Sequence, residues 1–338
     1  MKRWILKKGV DTVDGLVQET VAVPQPGPGE VRLRVHAAAL NYRDHLILGD
    51  ATGAWRPNGD LIPVADGAGV IDAVGEGVTQ WSEGDRVTTV YLRDFPVWPP
   101  NADMGLGLGS ADENGVLAEY VVLPATRVTR APGNLSLVKA ATIPCAAVTA
   151  WTALTGAYPL QRGQKVLMLG TGGVSLFAVD LAKAIGAEVF VTSSREDKSR
   201  RLKDLGVAAT FDYKADPEWG KSVFEATGGV DKVVNTAGFG SVNQCVQALA
   251  YGGDIAVIGL MTFGDVIDPS LFLAKGVSLR GIPVGSRQQQ EELVAFIEAN
   301  DIKPIIWKTF GFDEAKEAYE AQVSPDIFGK VVIRITDE

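Results

Sequence analysis

A glycine-rich segment near the middle of the chain has the residue types and spacing of a phosphate-binding turn. It reads Gly170-Thr171-Gly172-Gly173-Val174-Ser175 and lies between a predicted strand and a predicted helix. Gly170 allows a tight turn, Gly172 allows close approach of a pyrophosphate, and the helix N-terminus offers free N–H groups and a positive dipole. Ser175 stands where glycine or alanine is usual, but serine is also small. The segment predicts dinucleotide binding, with a purely structural glycine turn as the alternative.

The end of the following predicted strand bears on which dinucleotide binds. A carboxylate about 20 residues beyond the glycines would pair with a ribose 2′-hydroxyl and repel a 2′-phosphate. This chain instead has Ser193, Ser194, Arg195 and Lys198 there. Hydroxyl donors and a guanidinium suit a phosphate group, so the pattern favours NADPH over NADH. The alternative is that the two cations are only solvated residues at the start of a helix.

Strands and helices alternate through the second half of the chain. The predicted strands are residues 165–169, 188–192, 210–213, 232–236, 254–258 and 277–282. The predicted helices between them are residues 174–185, 198–205, 223–227 and 242–249. This alternation implies parallel pairing through right-handed crossovers, and therefore a doubly wound parallel sheet. The last 50 residues predict two helices, 290–298 and 314–321, and a strand, 330–335, which we expect to rejoin the first part of the chain.

The first 125 or so residues predict short strands separated by turns. Residues 31–35 alternate apolar and polar side chains, residues 70–74 are apolar and β-branched, and residues 119–123 follow a glycine turn. This part of the chain predicts mainly antiparallel β structure, in a barrel. A helical pattern from residue 137 to 154 then follows, and it is broken at Pro144.

A segment rich in proline, glycine, tryptophan and methionine extends from Tyr91 to Gly115. It is too long to be a bare connection in a compact domain. Two interpretations stay open for it, a mobile excursion and a flap on the substrate side.

Composition excludes several classes of function. The chain of 338 residues has 32 basic and 41 acidic residues, a formal charge of −9, which would repel a nucleic-acid backbone. No stretch approaches the roughly 18 apolar residues that span a bilayer. The first ten residues lack the apolar core of a signal peptide, and two cysteines cannot build a framework of disulfides. We therefore expect a cytoplasmic protein with no nucleic-acid or membrane partner.

Short motifs in the same order along almost the whole chain resemble those of the medium-chain dehydrogenase/reductase superfamily. They are Pro26-Gly27-Pro28-Gly29-Glu30-Val31, Ala39-Leu40-Asn41-Tyr42-Arg43-Asp44, Asp66-Gly67-Ala68-Gly69-Val70, Val74-Gly75-Glu76-Gly77-Val78, Gly84-Asp85-Arg86-Val87, Ala140-Ala141-Thr142-Ile143-Pro144-Cys145, Thr149-Ala150-Trp151, the glycine turn and Phe328-Gly329-Lys330-Val331-Val332. The chain is most similar to the zinc-free, quinone oxidoreductase-like members, which are named NADP-dependent oxidoreductases or alcohol dehydrogenases.

The resemblance implies an α/β protein with two domains. A GroES-like, mainly antiparallel β-barrel domain would comprise residues 1–145 and 286–338, and a Rossmann domain with a doubly wound parallel sheet would comprise residues 146–285. Relatives are commonly dimers or tetramers, so a homodimer is expected in which the strand at residues 277–282 extends the sheet across a two-fold axis.

The same resemblance bears on a metal. Zinc-dependent relatives hold a catalytic metal through a cysteine, a His-Glu pair and a third cysteine or aspartate. The corresponding positions here are Asn41, Ala65 beside Asp66, and Cys145, so only one ligand type survives. The four cysteines that hold a structural zinc are absent from residues 91–115. We therefore predict no metal.

The resemblance also assigns candidate site residues. Asn41 and Thr149 would position the nicotinamide or its ribose. Tyr42 would donate to the substrate oxygen or lie along the pocket, with plain aromatic packing as the alternative. Asp44 is a further candidate, better suited to ordering its loop than to acting as a base. The remaining cofactor candidates are the glycine turn, Ser193, Ser194, Arg195, Lys198, Tyr213, Asn235, Gly238, Gly259, Leu260 and Lys330, the last with an open role.

Without a metal, the chemistry that the site can perform is restricted. Oxidising an alcohol needs an alkoxide stabilised by zinc or by a tuned base, and no Tyr-x-x-x-Lys pair occurs. Reducing a quinone or an α,β-unsaturated carbonyl needs only hydrogen-bond donors near the carbonyl oxygen. We therefore expect a zinc-independent, NADPH-dependent reductase of such compounds. A metal-free alcohol or aldehyde dehydrogenase and a non-catalytic NADPH-binding protein are the alternatives.

Overall fold

Two separate sheets organise the chain, one in each of two structural units. The structure is a computed structural model that describes residues 1–49, 55, 57–111, 113–264 and 266–337. The first unit comprises residues 1–148 and 285–338, and the second comprises residues 149–284. In the described part of the chain, no helix is long and apolar enough to cross a membrane.

Fifteen strands and ten α-helices are named here in chain order. The strands are β1 Lys2–Leu6, β2 Leu16–Thr20, β3 Glu30–Leu40, β4 Asp66–Val74, β5 Arg86–Thr89, β6 Tyr120–Pro124, β7 Val128–Arg130, β8 Lys165–Leu169, β9 Glu188–Thr192, β10 Ala209–Phe211, β11 Val230–Asn235, β12 Leu249–Val257, β13 Ser278–Gly281, β14 Ile306–Gly311 and β15 Lys330–Arg334. The helices are α1 Tyr42–Leu48, α2 Leu137–Ala140, α3 Val148–Thr155, α4 Gly173–Ile185, α5 Glu196–Asp204, α6 Trp219–Thr227, α7 Val242–Ala248, α8 Pro269–Lys275, α9 Arg287–Ala299 and α10 Ala315–Gln322.

The sheet of the first unit is mainly antiparallel, which confirms the prediction for this part of the chain. Its strand order is β14-β15-β3-β4-β5-β7, with β6 also paired to β3, and only the β14–β15 pair is parallel. The last strand, β15, lies directly against β3, so the C-terminal segment completes this unit. The strands β1 and β2 form a separate antiparallel pair.

Strand β3 is longer than the five residues predicted from its alternating pattern. It continues to Leu40, and every residue from Val35 onward is buried. A strand that is covered on both faces has no polar face, so the alternation that signals a strand disappears. The three alanines, residues 37–39, also have a low intrinsic preference for strands. Packing on both faces therefore sets the end of β3, and it ends directly before Asn41.

The sheet of the second unit is entirely parallel and doubly wound, as predicted. Its order is β10-β9-β8-β11-β12-β13. From β8 the chain moves outward to β9 and β10, then returns to β11 on the other side of β8 and moves outward again to β12 and β13. This reversal between β8 and β11 is a topological switch point, where α/β sheets bind ligands at the carboxyl ends of their strands.

Some elements carry little signal in the sequence. Helix α8 is only seven residues long, and β14 is an edge strand that pairs with β15 alone. The helical run around Pro144 divides into α2, a π-helical turn at Ile143–Ala147, and α3. Short elements lack the several repeats that make a period visible, so tertiary packing decides them.

Two buried arginines hold the proline- and glycine-rich segment from Tyr91 to Gly115. The Arg127 guanidinium donates to the carbonyl oxygens of Val90 (3.2 Å) and Tyr91 (3.1 Å), and its Nη1 lies 2.5 Å from Glu113 Oε1. Arg43 Nη1 donates to the carbonyl oxygen of Leu108 at 2.7 Å. Leu108 itself is fully buried. These contacts anchor the described part of this segment at both ends and in its middle.

Replacing Arg127 by alanine should lower the free energy of unfolding by about 2–3 kcal/mol, because buried carbonyl oxygens and Glu113 lose their donors. The matched control is Arg130→Ala, which removes an exposed ion pair with Glu298 and should cost at most about 1 kcal/mol. Denaturant unfolding of both variants measures the difference. Equal losses would show that Arg127 does not anchor the segment.

Candidate active site

The glycine turn lies at the carboxyl end of β8, directly at the switch point. Gly170 has a φ of +74°, a value that L-residues rarely adopt, and its N–H donates to the carbonyl oxygen of Thr192 at 3.0 Å. Thr171 is buried, and Gly172 is the N-cap of α4, which begins at Gly173 and Val174. A Cβ added at Gly172 would meet no atom within 4 Å. No side chain caps the N-terminus of α4. The N–H groups of its first turn and the space beside Gly172 are therefore open to an anion.

Ser175, the unusual residue of the turn, has a structural explanation. Its hydroxyl is fully buried and donates to the carbonyl oxygen of Leu169 at 2.7 Å. It also lies 3.2 Å from Thr236 Oγ1. A serine here therefore ties the first turn of α4 to the ends of β8 and β11, and its polar group is satisfied without disturbing the glycines.

The candidate 2′-phosphate residues lie together after β9. Ser194 Oγ donates to the hydroxyl oxygen of Tyr213 at 3.3 Å. Arg195 is the N-cap of α5, and its guanidinium contacts the carboxylate of Asp197 twice, at 2.9 and 3.2 Å. This contact lowers the pKa of Asp197. Ser193 and Lys198 are largely buried beside them. The candidate residues after β9 thus lie close together, and the carboxylate of Asp197 is the present partner of the Arg195 guanidinium.

The polar residue after β11 shapes its own loop. Asn235 is fully buried, and its Oδ1 accepts from the backbone N–H groups of Ala237 (3.0 Å) and Gly238 (2.8 Å). Its Nδ2 donates to the carbonyl oxygen of Gly238 at 3.0 Å. A Cβ at Gly259 would lie 2.1 Å from the carbonyl oxygen of Thr236, so the strand ends are closely packed here. Leu260 follows, half-buried. Contact of these residues with a coenzyme stays a prediction.

Four further candidates, Thr149, Asn41, Tyr42 and Asp44, lie at the starts of helices. Thr149 is buried in the first turn of α3. Asn41 precedes α1, and its backbone N–H donates to Asp44 Oδ2 at 2.8 Å. Asp44 is buried, and burial raises the pKa of its carboxyl. Its hydrogen bond with the Asn41 N–H orders the start of the helix. Tyr42, the first residue of α1, has 38% of its surface exposed and can reach a ligand.

A cluster of buried charges surrounds Asn41. Two of its members, Asp44 and Lys330, are candidates from the sequence, and two others, Arg43 and Asp66, are not. Lys330 Nζ donates to Asn41 Oδ1 at 2.6 Å and to the carbonyl oxygen of Leu40 at 2.7 Å. The same nitrogen lies 3.6 Å from Oδ2 of Asp66, the first residue of β4. Burial raises the pKa of the Asp66 carboxyl to about 6, although the nearby Lys330 ammonium opposes this shift. Burial likewise raises the pKa of the Cys145 thiol well above its usual value.

A second cation completes this cluster. The Arg43 guanidinium lies 4.9 Å from the centre of the Tyr91 ring and 3.4 Å from Asp44 Oδ1. Within the described residues, Arg43 Nε, Asn41 Nδ2 and both carboxylate oxygens of Asp66 are buried without a hydrogen-bonding partner. A charged residue within an apolar segment, such as Asp66, is the sequence signal for such a cluster, since a buried charge needs a partner.

Two family models match the chain. Residues 27–133 match the model described as the alcohol dehydrogenase GroES-like domain, and residues 173–299 match the model described as zinc-binding dehydrogenase. Among the described residues, no group of three or more histidine, cysteine, aspartate or glutamate side chains could hold a metal ion.

Similar proteins extend over nearly the full chain. A zinc-type alcohol dehydrogenase-like protein from Schizosaccharomyces pombe is 38% identical to this chain, and the aligned region covers 98% of this chain and 99% of that protein. A quinone oxidoreductase-like protein 2 homolog from Nematostella vectensis is 28% identical over 94% of this chain and 85% of its own. The solved structure of an NAD-dependent alcohol dehydrogenase has a TM-score of 0.88 at 32% identity, over 99% of this chain and all of its own.

Proposed function

Because the chain belongs to the medium-chain dehydrogenase/reductase superfamily, we propose that it is a zinc-independent oxidoreductase that transfers hydride from NADPH to a quinone or an α,β-unsaturated carbonyl compound. The observation that carries this proposal is the set of side chains at the positions where zinc-dependent relatives hold their metal. Those positions supply one amide, one methyl group and one thiol. The Lys330 ammonium bonds the amide and lies 3.6 Å from the carboxylate of Asp66, the neighbour of Ala65.

Zinc does not fit this set of donors. Asn41 Oδ1 is already bonded to the ammonium of Lys330, and Ala65 has no donor atom. Of the three positions only Cys145 offers a ligand that zinc prefers, and zinc sites in proteins use three or four such side chains. A divalent cation at this place would also be repelled by the ammonium of Lys330. No step of the proposed reaction passes through a metal, although the family model and the Schizosaccharomyces pombe relative carry zinc in their descriptions.

NADPH fits the second unit. The uncapped N-terminus of α4 and the open backbone at Gly172 would hold the pyrophosphate. Ser194, Arg195 and Tyr213 would hold the 2′-phosphate, and the guanidinium offers two parallel donors once it leaves Asp197. When bound, the coenzyme supplies the hydride. A related solved structure is described as NAD-dependent, so the 2′-phosphate preference rests on this chain's own residues.

The substrate class follows from what the residues of the first unit can do. Hydride addition to a conjugated carbon places negative charge on the carbonyl oxygen, and a hydrogen-bond donor is enough to stabilise it. We assign this role to the hydroxyl of Tyr42, because 38% of the surface of this residue is exposed and the Asn41–Asp44 bond fixes the backbone of the helix start on which it lies. The second candidate function is a metal-free alcohol dehydrogenase. The names of several relatives favour alcohol dehydrogenase activity, and the absence of a metal rests on this chain's own residues.

The proposed function is tested by following NADPH oxidation with a panel of enones, quinones and aldehydes, with and without a chelator. We expect reduction of conjugated or quinone substrates at a rate that the chelator does not change. The reverse assay uses NADP⁺ and saturated alcohols. Oxidation of these alcohols without any enone or quinone reduction would select the alcohol dehydrogenase. Tight NADPH binding without turnover of any substrate would select the non-catalytic protein.

Arg195→Ala should weaken NADPH binding about 10- to 100-fold and leave NADH binding nearly unchanged, because only NADPH loses a charged hydrogen-bonding partner. The matched variant is Asp197→Asn, which removes the internal anion that competes for the guanidinium and should strengthen NADPH binding. Titration of both coenzymes by fluorescence measures the four affinities. Equal losses of NADPH and NADH in Arg195→Ala would remove this residue from the phosphate site.

Gly172→Val should abolish binding of both coenzymes, because the side chain would fill the space that a pyrophosphate must enter. The fold should be unaffected, since the φ of −76° suits any residue and an added Cβ meets no atom within 4 Å. Thermal unfolding checks the fold, and coenzyme titration checks the site. Unchanged binding in a folded variant would separate the glycine turn from the coenzyme.

A homodimer formed through the second unit is part of the proposal. Exposed apolar side chains are concentrated between residues 261 and 279, and β13 ends the sheet there. Phe263, Val266 and Leu273 each have at least 80% of their surface exposed. Such a concentration is typical of an interface, and an edge strand can pair with its copy.

Leu273→Glu should therefore convert the protein to a monomer, because a charge would be buried in the proposed interface. Val97→Glu, which changes an exposed apolar residue of the first unit, is the control and should leave the assembly unchanged. Sedimentation velocity measures both. A wild-type protein that sediments as a monomer at micromolar concentration would contradict the proposed dimer.

A further inference from the structure

A cavity of about 300 Å³, here called the amino-end cavity, lies at the starts of β8 and β11 in the second unit. Its lining includes two tyrosine rings, Tyr158 and Tyr251, and three charged side chains, Asp231, Lys232 and Asp254. The volume is at the lower end of the range for small-molecule sites. None of the described residues of the proposed coenzyme site lines this cavity, so a ligand bound here would be a second one.

A large irregularity in β12 borders the amino-end cavity. Val230 and Lys232 are two residues apart in β11, whereas their partners in β12, Leu249 and Asp254, are five residues apart. The extra residues of β12 leave the regular ladder and carry Tyr251 outward, where 76% of its surface is exposed. Such bulges re-aim side chains and often lie next to functional sites.

The buried cations beside this cavity outnumber the carboxylate that pairs with them. Asp254 accepts two bonds from the Arg280 guanidinium, at 2.8 and 2.7 Å, and another from the Lys232 ammonium. Arg280 by itself balances the charge of Asp254, so the charge of Lys232 is in excess. Only 2% of Lys232 is exposed, and burial lowers its pKa although the Asp254 carboxylate opposes this shift. A buried cation in excess favours a further anion beside it.

The Lys232 ammonium also has hydrogen-bonding capacity to spare. An ammonium has three N–H donors, and among the described residues Asp254 is its only hydrogen-bonding partner. Two donors therefore remain for the cavity that this residue lines. The carboxylate of a ligand would supply both the missing acceptors and the missing charge.

The same cavity offers a negative group. Asp231 directly precedes Lys232 in β11 and is half-buried, and its Oδ2 accepts from the backbone N–H of Lys165 at 2.7 Å. Within the part of the chain that the structure describes, Oδ1 of Asp231 accepts no hydrogen bond. This oxygen is available to an ammonium group of a ligand.

Two aromatic rings are available to the rest of the ligand. About half of Tyr158 (51%) and most of Tyr251 (76%) are exposed, and both residues line the cavity. The Arg280 guanidinium lies 5.8 Å from the centre of the Tyr158 ring and gives that ring a fixed neighbour. Aromatic rings bury a large area and gain further from packing against another ring, so an aromatic group suits this wall.

We propose that the amino-end cavity binds a free amino acid with an aromatic side chain. Lys232 holds its carboxylate, Asp231 holds its ammonium, and its ring packs against Tyr158 and Tyr251. A zwitterion fits because each of its charges meets the opposite charge. A simple acid would leave Asp231 facing the ligand without a partner, and a simple amine would leave Lys232 so.

Calorimetric titration of the wild-type protein with three probes of one skeleton tests the two charges. L-Phenylalanine carries both charged groups, 2-phenylethylamine lacks the carboxylate, and 3-phenylpropionate lacks the ammonium. We expect phenylalanine to bind at least tenfold more tightly than either analogue, because each analogue loses one charge-assisted hydrogen bond. Failure of phenylalanine to bind, or an analogue that binds as tightly, would overturn the proposal.

Two variants test the assigned residues. Lys232→Met should weaken phenylalanine binding about 10- to 100-fold, and it should fold because Asp254 keeps both bonds from Arg280. Asp231→Asn keeps an acceptor for the Lys165 N–H and should weaken binding to a similar extent. The control is Lys221→Met, which removes an exposed charge of α6 outside the cavity and should leave the affinity unchanged.

Melting curves confirm that each variant is folded. Wild-type affinity for phenylalanine in folded Lys232→Met or in folded Asp231→Asn would overturn the proposal. Neither titration needs a coenzyme or a carbonyl substrate. Failure of this proposal is therefore distinct from failure of the proposed function.

Discussion

Buried cations with several partners hold together the strand ends and the long connecting segment of the first unit. A buried charge without partners is far more unfavourable than any single turn or loop conformation. In the first unit, Lys330 joins the ends of β3, β4 and β15, and Arg127 joins β7 to the segment that begins at Tyr91. In the second unit, the Asp254 carboxylate holds Lys232 and Arg280, so three adjacent strands are joined by one anion. Regular pairing builds the sheets, and these ionic contacts join neighbouring strands, at their ends in the first unit and within the strands in the second.

The arginine contacts explain how the segment from Tyr91 to Gly115 is ordered without metal ligands. A structural zinc joins four side chains of one loop, whereas a guanidinium has five donors in a rigid fork and can bond several carbonyl oxygens at once. Arg43 and Arg127 both come from outside the segment. They bond backbone carbonyl oxygens at its start and at Leu108, and the side-chain carboxylate of Glu113 near its end. Most of these acceptors are backbone groups, so the composition of the segment alone gives little sign of how it is anchored.

Much of the second unit could be predicted from the sequence, and less of the first. A parallel sheet repeats one unit of strand and helix, so the period is visible several times, and β8, β9 and β11 begin or end within two residues of the predicted strands. The glycine turn was predicted with its position because its chemistry depends on backbone groups, which follow sequence spacing. The cluster at Lys330 depends on antiparallel pairing between residues about 290 positions apart, and no local pattern encodes that contact. The motif residues Asn41 and Lys330 were both identified, but not the bond between them.

Each unit has an ion pair near a candidate site, and the two pairs differ in their exposure to solvent. After β9, the ion pair of Arg195 and Asp197 is partly exposed: 40% of the Arg195 side chain and 50% of the Asp197 side chain are accessible to solvent. Such a pair has little net stability, so an incoming phosphate can displace Asp197 at small cost. The Lys330–Asp66 pair is buried, where separation leaves both groups without solvation, and it is therefore permanent. An exposed pair can serve as an exchangeable binding site, whereas a buried pair can serve only as a fixed support. Solvent exposure, and not residue type, therefore supports the proposed phosphate-binding role of Arg195 and distinguishes it from the buried Lys330.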